Sequence, residues 1–297
     1  MMNKSVARKG KTSAGEIFAK IVTYVYFVIF ALCILIPFYI MLKNSVTSEV
    51  ENLKSMKFSW FPQMGITFKA YETAMFSDVL DAYGISVLRG FFNTLWQTIP
   101  TLLIGLFISG LAAFAYSKLN IPGKNKFFMF TLATMMIPGA VLTMPAYVFY
   151  DSIGWSNTVL PIIIPGMFGG ATTIFFLRQF FRGIPSDLLD AAKLDGLGFM
   201  GMYTKIMIPL AKPAFISQFI FGFIGGYNNY MGPLLYLNGQ TDLYPLQMAL
   251  TLYRSIYGGE PAIVAALTVI ALLPLLIIYI CMQKFFVEGI ATSGIKG

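Results

Sequence analysis

The 297-residue sequence contains no histidine, only two cysteines and few charged residues. Histidine is the commonest metal ligand and the commonest general base, so its absence argues against a metal site and against an enzyme that relies on imidazole. Charged residues make up 11% of the chain, whereas a soluble domain carries about 25%. So few charges cannot cover a water-facing surface, and we expect the lipid bilayer to surround much of the protein. Cys33 and Cys281 lie in apolar segments, which predicts packed thiols rather than a disulfide.

The sequence also lacks a nucleotide-binding P-loop. Residues 8–12 include Gly-Lys-Thr, but Ser5 occupies the position where a P-loop requires a glycine. The preceding residues do not have the pattern of a β-strand either. We therefore predict that the chain has no catalytic residues, binds no metal or other cofactor, and is not an enzyme.

Long apolar segments dominate what is present. A helix needs about 20 mostly apolar residues to span the hydrocarbon core, and six segments satisfy this. The predicted spans are residues 17–42, 91–117, 125–149, 157–180, 206–236 and 263–286. The first is longer than the apolar core of a signal peptide, so we expect it to remain as a span. The Gly225-Gly226 pair predicts a bend in the fifth. The predicted fold class is all-α, a polytopic membrane protein with six transmembrane helices.

The net charge of +8 is distributed unevenly along the chain. Lysine and arginine are in excess in both termini and in the segments that follow the second and fourth predicted spans. The positive-inside rule places these four segments, including both termini, in the cytoplasm. Because topology accounts for the basic residues, we predict no nucleic-acid partner.

This topology divides the chain into five parts. They are a cytoplasmic N-terminal tail at 1–16, the first transmembrane helix at 17–42, an extracytoplasmic segment at 43–90, a five-helix core at 91–286 and a cytoplasmic tail at 287–297. The extracytoplasmic segment mixes charged and aromatic residues, so we expect a small folded cap with short helices. A cytoplasmic loop at 181–207 interrupts the core.

The cytoplasmic loop carries several helix signals. Gly183 and Pro185 are expected to end the fourth span. Ser186 is a candidate N-cap for a short helix that runs to about Leu194. Gly196 can adopt the positive φ that ends such a helix sharply. A second short helix is expected over about 199–207.

The first of these helices has features of a docking element. Asp190 lies near its start, where a negative charge suits the helix dipole. Ala191 and Ala192 are expected to leave one face small and flat, which suits a groove on another protein. By these features alone, an ordinary capped helical loop is an equal alternative.

The loop also fits a longer motif, D-A-A-x-x-D-G-x12-P-x3-P, which resembles the EAA loop of ATP-binding-cassette (ABC) importer permeases. The matching residues are Asp190, Ala191, Ala192, Asp195, Gly196, Tyr203, Pro209 and Pro213. In that family the loop docks on an ATPase subunit and couples ATP hydrolysis to transport. Asp190 departs from the family pattern, because a glutamate with longer reach occupies that position there. The resemblance implies a MetI-like permease fold whose ATPase docks on residues 186–207.

Other segments are similar to maltose-type carbohydrate permeases, namely residues 283–297, 92–94, 111–118 and 121–124. This resemblance implies a bacterial cell-membrane importer of carbohydrate, with oligosaccharide favoured, that works by alternating access. It implies two ABC ATPase subunits that hold ATP and magnesium, a second homologous permease chain and an extracytoplasmic solute-binding protein. Membrane lipid surrounds the permease.

Six residues within the spans are candidates for the substrate path. They are Asn93, Gln97, Tyr227, Asn228, Asn229 and Tyr230. Amides and aromatic rings are groups that recognise sugars, but amides in spans also hydrogen-bond neighbouring helices. Two alternatives stay open, a permease for a non-sugar solute and an ion-coupled secondary transporter. The second alternative usually requires ionisable residues inside the membrane, and the predicted spans carry theirs near the ends.

Overall fold

The computed structural model describes residues 14–54, 59–76 and 84–294. Most of the predicted N-terminal tail, two parts of the predicted cap and the last three residues lie outside this range. The helices are α1 Ala14–Ser45, α2 Glu49–Lys54, α3 Lys69–Met75, α4 Val87–Lys118, α5 Lys124–Thr134, α6 Gly139–Ser152, α7 Leu160–Met167, α8 Ala171–Arg182, α9 Asp187–Leu194, α10 Phe199–Met202, α11 Ile208–Leu210, α12 Lys212–Tyr227, α13 Met231–Tyr236, α14 Leu246–Ile256 and α15 Pro261–Gly294. A π-helical turn, Tyr203–Met207, joins α10 to α11, and a 3₁₀ turn, Thr241–Leu243, precedes α14.

The helices account for the predicted spans. By length and composition, α1, α4, the α7–α8 segment and the first part of α15 can each cross a membrane. Two bent pairs, α5 with α6 and the α10–α11 segment with α12, bring the number to six if each pair is one span. An all-helical membrane fold is thereby confirmed for the described residues.

The third and fifth spans are strongly bent, and the sequence predicted a bend only in the fifth, at Gly225-Gly226. The third bends by 92° between α5 and α6, where Pro138 adopts an extended conformation immediately before α6 begins. Proline fixes φ and has no N–H to donate, so a helix readily breaks there. The fifth bends by 80° at Ala211, where the α10–α11 segment of the loop meets α12. It ends at Tyr227, directly after the Gly225-Gly226 pair, and resumes as α13.

Helix α4 is the centre of the bundle. Its outer half packs with α12, α14 and α15 in one core cluster, around Val87, Phe223 and Leu246. Its inner half packs with α8, α9 and the π-helical turn in a second cluster, around Phe114 and Tyr203. The cytoplasmic loop therefore shares a core with a membrane helix rather than hanging free.

Both cysteines are more exposed than the sequence predicted. Cys33 in α1 and Cys281 in α15 present their side chains on the outside of the chain. These parts of α1 and α15 bury little surface within this chain, so their apolar side chains face outward. The prediction of packed thiols was wrong for this chain.

The described parts of the outer segment are held by two glutamates. Glu51 in α2 accepts hydrogen bonds from the backbone N–H groups of Gln63 at 2.7 Å and Met64 at 2.9 Å. Glu49 accepts one from the N–H of Ala262 at 3.0 Å, at the start of α15. A carboxylate suits a helix N-terminus because that end carries partial positive charge. The outer segment is therefore tied to the last helix.

The Glu51 contacts predict a pH dependence. The N–H groups of Gln63 and Met64 stabilise the carboxylate and lower its pKa below the ordinary 4.5. A lowered folded pKa means that stability is present above the unfolded pKa and is lost as pH falls through the folded value. Hydrogen exchange at these two amides, corrected for intrinsic rates, should accelerate as the pH falls below the ordinary pKa of 4.5. Glu51→Gln should remove that pH dependence, and an unchanged profile would contradict this role.

Candidate functional site

Helix α9 begins without the side-chain cap that the sequence predicted. Ser186 has helical φ and ψ values, and its hydroxyl makes no capping bond. Instead its backbone carbonyl accepts bonds from the N–H groups of Leu189 at 2.8 Å and Asp190 at 3.1 Å. The hydroxyl is not placed over the helix end because an N-cap residue needs an extended backbone.

The end of α9 is fixed by Gly196. Its φ is +80°, and a left-handed conformation costs other residues about 1–2 kcal/mol. Leu197 N–H donates to the Ala192 carbonyl at 2.9 Å, and Gly196 N–H donates to the Lys193 carbonyl at 3.0 Å. This pair of bonds is a Schellman motif, in which the glycine at C′ satisfies the last helix carbonyls. The sharp stop expected at Gly196 is present.

The two alanines of the motif do not share a face. Ala192 is buried against the inner core, as is Leu189, whereas Ala191 is exposed together with Asp190. Consecutive helix residues point about 100° apart, so adjacent alanines cannot form one flat strip. Asp190 pairs with Lys193 at 3.2 Å on this surface, and an exposed pair of this kind stabilises a helix little. Asp195 is exposed at the C-cap.

Apolar side chains on the same loop form a surface that the sequence reasoning missed. Leu194 is 91% exposed, and Leu188, Phe199 and Met200 are also largely exposed. We call these four residues the docking face. They lie among charged residues on the side that the charge pattern assigns to the cytoplasm, where lipid cannot cover them. Exposed apolar clusters of this kind mark protein interaction sites.

The loop is anchored to α4 by Tyr203. Its ring is fully buried and packs on Phe114 and Phe107, with ring centroids 5.9 and 5.3 Å away. Its hydroxyl donates to the Phe107 carbonyl at 2.8 Å. The ring fits only because Gly110 has no side chain, since a Cβ there would overlap the Tyr203 hydroxyl and the Phe215 ring. Displacement of the loop must therefore be transmitted to α4.

A second anchor lies at the other end of the loop. The Lys118 ammonium, in the last turn of α4, donates to the carbonyl of Ile184. This carbonyl lies between the end of α8 and the start of α9. The loop is therefore fastened to α4 before and after α9.

The two motif prolines lie where the chain turns back toward the membrane. Pro209 is in α11, and Pro213 is in the first turn of α12. Proline is well suited to a first turn because its missing N–H would have no helical partner there. Ala211 between them is fully buried and marks the 80° bend. The prolines thus accompany a fixed change of direction.

The two amides predicted in α4 hold the outer loop. Asn93 donates to the carbonyls of Asp242 at 2.7 Å and Tyr244 at 3.1 Å, and Gln97 donates to that of Leu243 at 2.9 Å. Both amides are buried. Arg89 pairs with Asp242 one turn earlier. The donors of Asn93 and Gln97 therefore hold an outer loop, rather than the neighbouring helix that the sequence left open as the alternative.

The two predicted tyrosines at the end of α12 differ in burial. Tyr227 is fully buried, and its hydroxyl donates to the Ala271 carbonyl at 2.8 Å. Tyr230 is half-buried and packs near Leu237 and Tyr244. Tyr227 could have been recognised as a packing residue, because it continues the buried stripe of Ile220 and Phe223.

Asn228 and Asn229 face different cavities because the helix breaks between them and α13. Asn229 lines a cavity between α4, α7 and α12 together with the hydroxyl residues Thr94, Thr98 and Thr101. Asn228 lines a separate cleft, and its amide accepts a bond from Gln247 at 3.1 Å. The two amides do not form one patch. A role for any of the six residues in a substrate path stays a prediction.

Among the described residues, acidic and cysteine side chains form no group that could hold a metal ion. The arrangement is a helical membrane bundle with an exposed loop that is anchored to α4 at both ends. Residues 85–292 match the family described as binding-protein-dependent transport system inner membrane component. The chain belongs to this family of ABC importer permeases, which are transport components rather than enzymes. An ion-coupled secondary transporter is not favoured.

Curated relatives extend over nearly the whole chain. The arabinooligosaccharides transport system permease protein AraQ of Bacillus subtilis is 29% identical over 283 residues, covering 94% of this chain and 96% of AraQ. The polygalacturonan/rhamnogalacturonan transport system permease protein YtcP of the same organism is 26% identical, covering 92% and 96%. The lactose transport system permease protein LacG of Rhizobium radiobacter is 28% identical over 224 residues, covering 75% and 81%.

A solved structure shows the same fold. The chain matches one subunit in the crystal structure of a bacterial ABC transporter involved in the import of the acidic polysaccharide alginate. The TM-score is 0.80 at 24% identity, and the match covers 93% of this chain and 99% of that subunit. This chain therefore has the same overall fold as that subunit.

Proposed function

We propose that this chain is a permease subunit of a carbohydrate ABC importer in a bacterial cell membrane, with oligosaccharides as the favoured substrate. The observation that carries the proposal is the exposed docking face on a loop anchored to α4 at both ends. The relatives named for arabinooligosaccharides, polygalacturonan or rhamnogalacturonan, and lactose support carbohydrate as the solute.

Four partners belong to this proposal. Two ABC ATPase subunits hold ATP and magnesium, and one of them docks on this chain's loop at 186–207. A second homologous permease chain completes the membrane path, and an extracytoplasmic solute-binding protein delivers the sugar. The family description, which specifies binding-protein-dependent transport, supports the last of these.

The mechanism that we propose is alternating access driven through the loop. When the ATPase subunits close, they move the docking face, and Tyr203 and Lys118 carry that movement to α4. Helix α12 must follow, because it continues from the loop through the bend at Ala211. The loop transmits force only if α9 has a fixed end, which Gly196 provides.

A change that disrupts the C-terminal end of α9 at Gly196 should uncouple ATP hydrolysis from transport. Proline at position 196 would force φ to about −65°, against the observed +80°, and would remove the N–H that binds Lys193. We expect Asp195→Ala combined with Gly196→Pro to abolish transport and ATPase recovery while membrane insertion is retained. Sugar uptake in vesicles and copurification of the ATPase measure the two effects. Asp195→Ala alone separates the role of the carboxylate from that of the backbone.

The cavity that Asn229 lines is the part of the predicted path that we favour. It offers the Asn229 amide and the Thr98 hydroxyl between α4 and α12, since the hydroxyls of Thr94 and Thr101 already donate to backbone carbonyls of α4. The loss of one hydrogen bond to sugar costs about 1 kcal/mol, or about fivefold in affinity. We expect Asn229→Leu to lower sugar uptake about fivefold with ATPase recovery unchanged. Asn228→Leu is the matched control and should change uptake less than about twofold. Equal losses in both variants would contradict this path.

A further inference from the structure

A cleft on the outer side of the bundle combines an apolar wall with a cationic rim. It encloses about 280 Å³ between α1, α14, α15 and the end of α12. Phe38 and Met41 of α1 face Leu272 and Leu275 of α15 across it. Arg254, in the last turn of α14, lies at its rim. We call this the α1–α15 cleft.

Arg254 differs from the other arginine of the predicted outer segments. Arg89 pairs with Asp242, whereas the part of the chain that the structure describes gives Arg254 no acidic partner. Its side chain is exposed. Two turns earlier on α14, Gln247 donates to Asn228, so the cleft has a polar edge as well as a positive one. An anionic group can therefore approach Arg254 without displacing an existing ion pair.

The wall of the cleft is mostly apolar, although Thr251 and Thr268 also line it, and it suits a hydrocarbon chain better than a sugar. From Leu267 to Leu275 it extends about 12 Å along α15, and opposite it Phe38 of α1 is exposed and Met41 is half-buried. A sugar would leave hydroxyl groups unpaired against these side chains, which is costly. A hydrocarbon chain would instead cover both apolar faces. The occupant must therefore have a long apolar part and one anionic end.

The geometry points to an anionic phospholipid of the outer leaflet, of the phosphatidylglycerol class, bound in the α1–α15 cleft. Guanidinium binds phosphate through two parallel hydrogen bonds, which a single Arg254 can supply. A choline or ethanolamine headgroup would bring its own cation close to Arg254. A glycerol headgroup adds hydroxyls that the polar rim can accept. This site is independent of the proposed sugar path, because Asn229 lies in the other cavity.

Native mass spectrometry of the full chain and of the assembled transporter tests this site. Detergent-solubilised protein would be titrated with dioleoylphosphatidylglycerol or dioleoylphosphatidylcholine, and the bound lipids counted. One arginine near a membrane surface contributes about 1 kcal/mol, so Arg254→Gln should weaken retention of phosphatidylglycerol about fivefold. Phosphatidylcholine retention should stay unchanged. Arg254→Lys keeps the positive charge and should therefore lose less phosphatidylglycerol than Arg254→Gln.

Lys69→Gln is the matched control, because Lys69 is an exposed cation on the same side and lies outside the cleft. It should retain phosphatidylglycerol as the unmodified chain does. Equal retention by Arg254→Gln and the unmodified chain would overturn the site, and so would equal losses in both glutamine variants. Arg254-dependent binding of an oligosaccharide in place of lipid would also overturn it. Loss of the lipid in the assembled transporter would show that the second permease covers the cleft, and this result would also overturn the site.

Discussion

Leu194→Asp should release the ATPase from this chain. Leu194 is the most exposed residue of the docking face and is the last residue of α9, within the Schellman motif. If it inserts into a groove of the ATPase, a carboxylate there would be buried without a partner. A hot-spot side chain contributes about 2 kcal/mol or more, and burial of the new carboxylate adds to that loss, so we expect binding to weaken at least about thirtyfold. Sugar-dependent ATP hydrolysis in proteoliposomes should fall with it.

The control for this variant is Met64→Asp. Met64 is an exposed apolar residue of the outer segment, so the same charge is added on the opposite side. It should leave ATPase recovery unchanged. Leu194→Met should also retain binding, because it keeps an apolar side chain of similar size. Full ATPase recovery with Leu194→Asp would show that the docking face is not where the ATPase binds.

Gly110→Ala should leave the ATPase bound but disconnect it from transport. The added Cβ would overlap the Tyr203 hydroxyl and the Phe215 ring, so the Tyr203 anchor must shift. Overpacking of this kind costs about 1–3 kcal/mol. Because the docking face itself is unchanged, we expect ATPase recovery to persist while sugar uptake falls about tenfold or more. The readout is the ratio of uptake to ATP hydrolysis in the reconstituted transporter.

Gly225→Ala is the matched control for Gly110→Ala. Gly225 is also a helical glycine, but a Cβ there would meet no neighbour within 4 Å. Both changes favour the helix equally, because alanine has a higher helix propensity than glycine. Gly225→Ala should therefore leave coupling intact. A normal coupling ratio in Gly110→Ala would mean that Tyr203 does not transmit movement to α4.

The local sequence of the loop predicts some of its structural features but not others. Gly196 was predictable because a residue at positive φ has few substitutes, and the structure gives it φ +80°. The motif does not predict the docking face, because Leu194 and Phe199 are not among the motif residues. Apolar residues within a charged, cytoplasmic segment would have been the signal. Ser186 was expected to cap α9, but its backbone is already helical.

Residues that are neighbours in the predicted substrate path do not all lie together in the structure. Asn228 and Asn229 were grouped because they are neighbours, yet a break between α12 and α13 directs them to separate cavities. Asn93 and Gln97 were recognised as polar residues in a span, but their loop partners lie about 150 positions along the chain. Periodicity within one helix predicts which face is buried. It does not predict which distant segment covers that face.

The most direct test of the proposed function is affinity copurification of the full chain from its native membrane, followed by mass spectrometry and an ATPase assay. We expect an ABC ATPase and a second permease to be recovered with the unmodified chain. Both the ATPase and its activity should be lost with Leu194→Asp and with the Asp195→Ala, Gly196→Pro variant. The chain purified by itself should hydrolyse no ATP. A chain that is recovered alone and supports uptake driven by an ion gradient would contradict the proposal.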